Sequence, residues 1–358
     1  MHPAKLPAIV GPAEIVLPCN ELSAALAFFV GDLGFRVETI FPTEDPTVAS
    51  LSGHGMRLRL QPGSGDPGRI RLACDLTKAD DRRLLTAPNG TLVELADFDP
   101  PLDMPELKPE FVMTRQSAAP DMGAGRAGML YRDLIPGRLG GRFIASHIAI
   151  PEGGPVSDWV HFHKIRFQMI FCRKGWVKVV YEDQGEPFRL EAGDCVLQPP
   201  RIRHRVLEAS PGLEVVEIGC PALHETLADH DLTLPTGRTL PDRYFGGQVF
   251  LRHVARSIPW TRIGDTGFEQ RRTEMAKATR GLADVRVIRP ASAAALTFAP
   301  HSAELMFAFI LEGRATLERS GDHALSPCDA FTIRAGEAWA LSNCSTDLEM
   351  LQVVLPAE

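Results

Sequence analysis

His161, Phe162 and His163 stand together, with Gln168 five residues on, Gly175 seven beyond that, and His204 another 29 along. Two histidines two apart on an extended segment point to the same face of a strand. Neutral imidazole is the commonest protein ligand for first-row transition metals. A third imidazole from a later strand would close a three-histidine site and leave positions open for substrate or water. The same segment is basic. Residues 161–205 hold nine Lys/Arg (Lys164, Arg166, Arg173, Lys174, Lys178, Arg189, Arg201, Arg203, Arg205) against five acids (Glu182, Asp183, Glu186, Glu191, Asp194). That excess reads either as a mouth attracting an anion or as a solvated outer face, and alternation puts Arg203 and Arg205 opposite to His204.

The spacing resembles the two-motif signature of the cupin superfamily, G-x5-H-x-H-x3-4-E-x6-G followed by G-x5-P-x-G-x2-H-x3-N. His161, His163 and Gly175 meet the first motif, with Gln168 in place of the glutamate and Pro155 in place of the leading glycine. Gly193, Pro199 and His204 meet the second, with Arg201 replacing its glycine and Glu208 its asparagine. The resemblance implies a jelly-roll barrel binding one divalent transition metal per chain through His161, His163, His204 and Gln168. Fe(II) is the favoured ion, with Zn, Mn and Ni open, because imidazole ligands alone do not choose among them. A neutral amide at the fourth position leaves a divalent site at +2 where a carboxylate would leave +1. Such a site suits an anionic bidentate substrate such as an enolate, a hydroxyketone or a catecholate. Gln168, Glu208 and Tyr181 are the catalytic candidates, and His147 is a further possible base.

Composition bounds the rest. A chain of 358 residues with 44% hydrophobic and 23% charged residues is an ordinary globular sequence, long enough for two or three domains. The net charge of −7 speaks against nucleic acid as a partner. Seven scattered cysteines without a Cys-x-x-Cys pair do not read as a disulfide framework. Residues 1–20 lack a basic segment followed by an apolar core, and no run approaches 18 apolar residues. The expectation is a cytoplasmic, homodimeric protein with a small-molecule partner and no membrane.

Ahead of the histidines, residues 1–99 alternate strand and helix signals: strands at 14–18, 34–38, 47–51, 56–60, 70–76 and 91–95, and a helical pattern through Leu22, Ala25, Phe28 and Phe29. Leu17-Pro18, Phe28-Phe29, Leu33-Gly34-Phe35 and Asn89 to Leu95 resemble the vicinal-oxygen-chelate (glyoxalase-like) family, whose module is βαβββ. By that resemblance Glu94 falls on a ligand position and Glu14 where a His or Gln would stand, and His54 lies in a turn, so the domain is expected to be degenerate, its second module short of a helix. Residues 100–125 are Pro/Gly-rich and read as a linker. Residues 126–222 form the first barrel, with strands at 144–150, 160–163, 168–172, 177–181, 195–197, 204–208 and 213–218; residues 223–262 connect, and 263–358 repeat the barrel at an offset of about 138, since Gly175 finds Gly313. At that offset His161 maps to Ala299, His163 to His301 and Gln168 to Met306, and Trp339 stands for His204, so the second barrel is expected to be metal-free. The fold class is therefore mainly β, two cupin barrels preceded by a small α+β unit, resembling a bicupin.

Three function classes follow. Cupins with three histidines and no glutamate include iron dioxygenases that cleave chelating substrates, the favoured reading. A redox-neutral isomerase, lyase or hydrolase using Zn, Mn or Ni is the alternative, and a non-catalytic sensor is a third. An apolar inner wall, expected from Ile170, Cys172, Val206 and Leu197, would select a substrate with a hydrophobic tail.

Overall fold

The computed structural model describes residues 11–76, 83–118, 122–125 and 128–356. It divides into two compact units, Met1–Pro101 and Leu102–Glu358. In the first, strands Ile15–Pro18, Arg36–Phe41, Val48–Gly53 and Met56–Gln61 form one sheet in the order first, fourth, third, second. The helix Leu22–Leu26, extended by a wider turn through Ala27–Asp32, links the first two strands. It has to cross over, because Ile15–Pro18 and Met56–Gln61 run parallel. This is the expected βαβββ order. Leu22, Ala25 and Phe29 bury one helical stripe against Leu51, Leu58 and Leu60. A second sheet holds Arg69–Cys74, Leu84–Thr86 and Leu92–Asp97. Residues 77–82, where a second helix was expected to be missing, lie outside the described residues.

The second unit is two barrels, each a large sheet closed by a smaller one. The large sheet of the first runs Leu251–His253, Cys195–Leu197, Phe167–Lys174, Leu213–Cys220, Ile144–Ile150, Leu130–Asp133 and Gly123–Ala124. That of the second runs Met113–Thr114, Ala330–Ile333, Leu305–Glu312, Glu349–Leu355, Asp284–Pro290, Phe268–Arg272 and Thr261–Arg262. On the central strands of these sheets both faces are apolar. On Phe167–Lys174, Phe167, Met169 and Phe171 face the other barrel while Gln168, Ile170 and Cys172 face inward. The outward set meets Leu305, Phe307 and Phe309 of the second barrel in a single shared core. Each fully buried side chain of this size contributes roughly 1.5–3 kcal/mol. Glu304 pins the seam, bonded by Arg142 at 3.1 Å and Arg166 at 2.8 Å.

The supposed linker is not a tether. Met104, Leu107 and Val112 pack on the shared core, and Met113–Thr114 pairs with Ala330 and Phe331 of the second barrel. The connecting segment does the reciprocal thing, since Leu251–His253 pairs with Cys195–Leu197 of the first. Met113 and Leu251 are 138 residues apart, the repeat offset. Each barrel's leading segment therefore covers the open edge of the other's large sheet, where an unpaired strand would be a liability. Two further differences from the sequence reading concern strands that were too short or too polar to signal: Phe188–Glu191 in the first barrel and Thr226–Ala228 at its rim.

Candidate metal centre

His161–His163 is a three-residue strand of the small sheet, flanked by the edge strand Thr226–Ala228 on one side and by His204–Ala209 on the other, where His161 lies directly opposite His204. Period 2 puts His161 and His163 on the inner face and Phe162 on the outer, where the Arg203 guanidinium covers its ring at 4.1 Å. All three imidazoles are buried, and their ring nitrogens fall within 4.8 Å of one another. Each ring is held the same way. Nδ1 of His161 lies 2.8 Å from the Trp159 carbonyl, that of His204 3.0 Å from Ile202 O, and that of His163 3.3 Å from Glu225 O. A carbonyl can only accept, so these contacts favour a donor proton on Nδ1 and Nε2 as the ligand atom. Imidazoles that ligate metals are oriented in this way. The buried Asp158 carboxylate adds a contact to His161 Nδ1 at 3.5 Å and anchors the next strand by accepting from Val206 N–H.

The three rings stand in a cavity of about 270 Å³ inside the first barrel. The rest of its wall is mostly aliphatic, with Ile148, Ile170, Val179, Val196, Val206 and Val215 prominent. Gln168 lies on the inner face and is 3% exposed. Its Nε2 donates to Glu217 Oε1 at 2.5 Å, and its own Oε1 is buried and accepts no hydrogen bond from the protein. An orphaned amide oxygen and three lone-pair nitrogens in one buried pocket suit a divalent transition metal, so the residues present fit the ion that the histidine spacing implies.

Tyr181 also lines the cavity, its ring stacked on His204 at 5.5 Å. Burial drives its phenol far above the ordinary value, opposed by the hydrogen bond with Gln198 and reinforced by the Glu217 charge. At neutral pH it is a hydroxyl, a donor and not a base. Glu208 does not reach the cavity. A β-bulge between Lys178 and Val179 in the pairing of the two strands resets the alternation, so that Glu208 pairs with Lys178 while Val177 and Val179 face in. His147 is on the wrong face too. Ile144, Ser146, Ile148 and Ile150 line the cavity, and His147 points to the seam, 2.9 Å from Glu214. Leu197 likewise faces the seam, and its neighbours Val196 and Gln198 take the inner positions. Among the described residues, the cavity wall contains no Lys or Arg. Three of the nine cations of residues 161–205 are paired elsewhere: Arg166 with Glu304, Arg173 with Glu214 and Arg203 with Asp229.

Sequence reasoning missed a carboxylate and an imidazole of the cavity wall. Glu217 is the carboxylate of the cavity, and its signal was present: Leu213, Val215 and Glu217 share a period-2 face, so the glutamate had to point in. His224, whose ring sits 5.1 Å from that of His163, belongs to an irregular segment with no periodicity to place it.

In the second barrel Phe298 pairs with Trp339 just as His161 pairs with His204. The counterpart of His161 is therefore Phe298, one residue before Ala299, because 298 to 306 spans one residue more than 161 to 168. His301 accordingly lies off the strand, its Nε2 3.1 Å from Ile333 O. Phe298 and Trp339 stack at 3.7 Å, and Ile288, Met306, Leu317 and Leu341 fill the interior. Among the described residues, one other trio of potential ligands converges, His147, Glu214 and Cys328 at the seam. The guanidiniums of Arg173, on Glu214 at 2.6 Å, and Arg132, on Cys328 O at 2.6 Å, hold the positive charge there. In the N-terminal unit Glu94 lies within ion-pair distance of Arg69 and Arg71, and Glu14 is exposed.

No protein-family model matches the chain, and no curated protein matches it. Solved structures do. A putative glyoxylate-induced protein from Pseudomonas aeruginosa is 13% identical, covers 73% of this chain and 94% of its own, and superposes with a TM-score of 0.50. A variant of Bacillus subtilis oxalate decarboxylase gives 10%, 72%, 78% and 0.52, and a variant of salicylate 1,2-dioxygenase from Pseudoaminobacter salicylatoxidans 15%, 70%, 85% and 0.51. At these identities the likeness is one of fold: a mainly β chain of two jelly-roll barrels.

Proposed function

We propose that this chain is a metal-dependent enzyme whose working site is the first barrel, with His161, His163 and His204 as ligands and Gln168 supplying the fourth donor. The observation that carries the reading is the convergence, within 4.8 Å, of one ligand atom from each of three buried imidazoles whose Nδ1 atoms face backbone carbonyls, in one apolar-walled cavity. A bound divalent ion would supply Lewis acidity and, if it is Fe(II), dioxygen chemistry. The chain's own residues do the rest. The aliphatic wall excludes water and accepts an apolar substrate body, while the Tyr181 hydroxyl and Gln198 offer hydrogen bonds beside the histidines. At about 270 Å³ the cavity is at the small end for ligand sites and suits a one-ring molecule better than a sugar chain.

The substrate class we favour is a small anion that chelates through two oxygens, and the reaction an Fe(II)-dependent dioxygenation. With no Lys or Arg among the described residues of the wall, preference for an anion rests on the metal. That salicylate dioxygenase shares the fold supports the reading. One observation favours a second: Glu217 places a carboxylate beside the site, as a redox-neutral proton transfer with Zn, Mn or Ni would need. Oxygen uptake by iron-loaded protein with catecholate, salicylate and β-dicarbonyl probes separates the two. Consumption that tracks substrate loss supports dioxygenation; turnover without it supports the second reading; no turnover of any probe with any of the four metals rejects both. The seven free thiols fit a reducing, cytoplasmic setting. The N-terminal unit we read as a degenerate glyoxalase-like module, supported by its βαβββ order and by the arginines around Glu94.

A further inference from the structure

We infer that Glu217 is a positioning residue for Gln168: it holds the amide so that Oε1 serves as an oxygen donor to the three-histidine site. The inference rests on the proposed metal-binding role of that site. Three observations carry it. An amide side chain is two-faced, and the 2.5 Å bond from Nε2 to Glu217 Oε1 decides which face is spent on the protein, because a carboxylate accepts and cannot donate. The atom left over, Gln168 Oε1, is buried without a hydrogen bond, a condition that is unfavourable unless something else coordinates it. Both side chains line the cavity that holds His161, His163 and His204. The second barrel keeps the pair in place and loses its chemistry: Met306 stands for Gln168 and Gln352 for Glu217, with Gln352 Nε2 3.7 Å from the Met306 sulfur in a filled interior.

The arrangement also returns a negative charge next to a site from which Gln168 had removed it. The acid is one strand over, on Leu213–Cys220, outside the ligand set. The site thus combines a neutral inner donor with a carboxylate behind it, as outer-shell carboxylates behind ligating imidazoles do.

Co(II) titration of the full chain tests this, read by visible absorption and by affinity in equilibrium dialysis. Glu217→Leu should weaken Co(II) by about 10–100-fold and alter the spectrum, as should Gln168→Leu. Glu217→Gln, which can still accept from the amide, should fall in between. The double variant Gln168→Leu/Glu217→Leu should be no weaker than Gln168→Leu alone, since a positioning residue has nothing left to position. Thermal unfolding of the metal-free variants separates a local effect from misfolding. If Glu217→Leu binds and absorbs like the parent while His161→Ala does not, the positioning role is wrong and the metal site stands. Strictly additive losses in the double variant also overturn it. Should His161→Ala bind Co(II) as the parent does, the metal site fails and the inference with it.

Discussion

One chain contains the same barrel twice, and the two copies have been put to opposite uses. In the first, the strand pair His161 and His204 leaves polar nitrogens around a hollow. In the second, the same pair is Phe298 and Trp339, two rings in face-to-face contact that fill the space. Packing density inside proteins is nearly that of organic crystals, so a hollow is a departure that costs dispersion contacts. The second barrel shows what this fold does when nothing needs room. Both copies contribute apolar side chains to the core of the seam between them.

The sharpest way to break this comparison is to remove a ligand from each copy. His161→Ala should take metal from about one ion per chain to less than about a tenth, because two imidazoles and an amide hold a divalent ion weakly. His301→Ala should leave occupancy unchanged. Metal analysis after dialysis reads both, and the reverse pattern would exchange the roles of the barrels.

Next in size is the cost of hollowing the filled copy. Trp339→Ala removes an indole packed on Phe298 and Phe331 and should destabilise by about 3–5 kcal/mol. Overpacking gives the converse at one matched position. Ala308 is fully buried among Phe331, Ile288 and Met350, and Ala308→Phe should cost about 1–3 kcal/mol. Ile170, its counterpart, borders the cavity, so Ile170→Phe should change stability by less than about 1 kcal/mol while weakening a bound probe ligand. Chemical denaturation measures the pair, and equal penalties would mean that the first barrel is no hollower than the second.

How much of this could be read in the sequence depended on distance along the chain. His161 and His163 are two apart on one strand, so their shared face follows from backbone geometry alone, and Glu217 follows from Leu213 and Val215 by the same rule. Glu208 was misplaced because the bulge that turns it outward belongs to the pairing of two strands, a property no single strand carries. The repeat was legible as a glycine offset, but one added residue between Phe298 and Met306 moved the histidine counterpart. The mutual exchange of leading segments was hidden in a stretch of Pro and Gly, where Met113–Thr114 is too short to show a period. Met56–Gln61 and Arg69–Cys74 were plain because they alternate, while His224 had no pattern to belong to.

The smallest effect concerns the seam the two copies share. Glu214 is held down to about 2, from an ordinary 4.5, first by its hydrogen bond with His147 and then by the charge of Arg173. Against the upward push of its own burial, Arg166 and Arg142 hold Glu304 below its ordinary value as well. A carboxylate whose folded value is depressed adds stability that is complete above its unfolded value and is lost as pH falls through the folded one. The metal-free protein should therefore lose stability as pH drops from about 4.5 toward 2, the window set by Glu214. Glu214→Gln should flatten that slope and also lower stability at neutral pH, because the charge contact with the mostly buried Arg173 is lost together with the carboxylate. His161→Ala, inside the first barrel and away from the seam, should leave the slope as it is. An acid slope that persists in Glu214→Gln but vanishes in Glu304→Gln would move the sensitive contact from one edge of the seam to the other, and a slope untouched by either would place the acid-labile groups inside a single barrel.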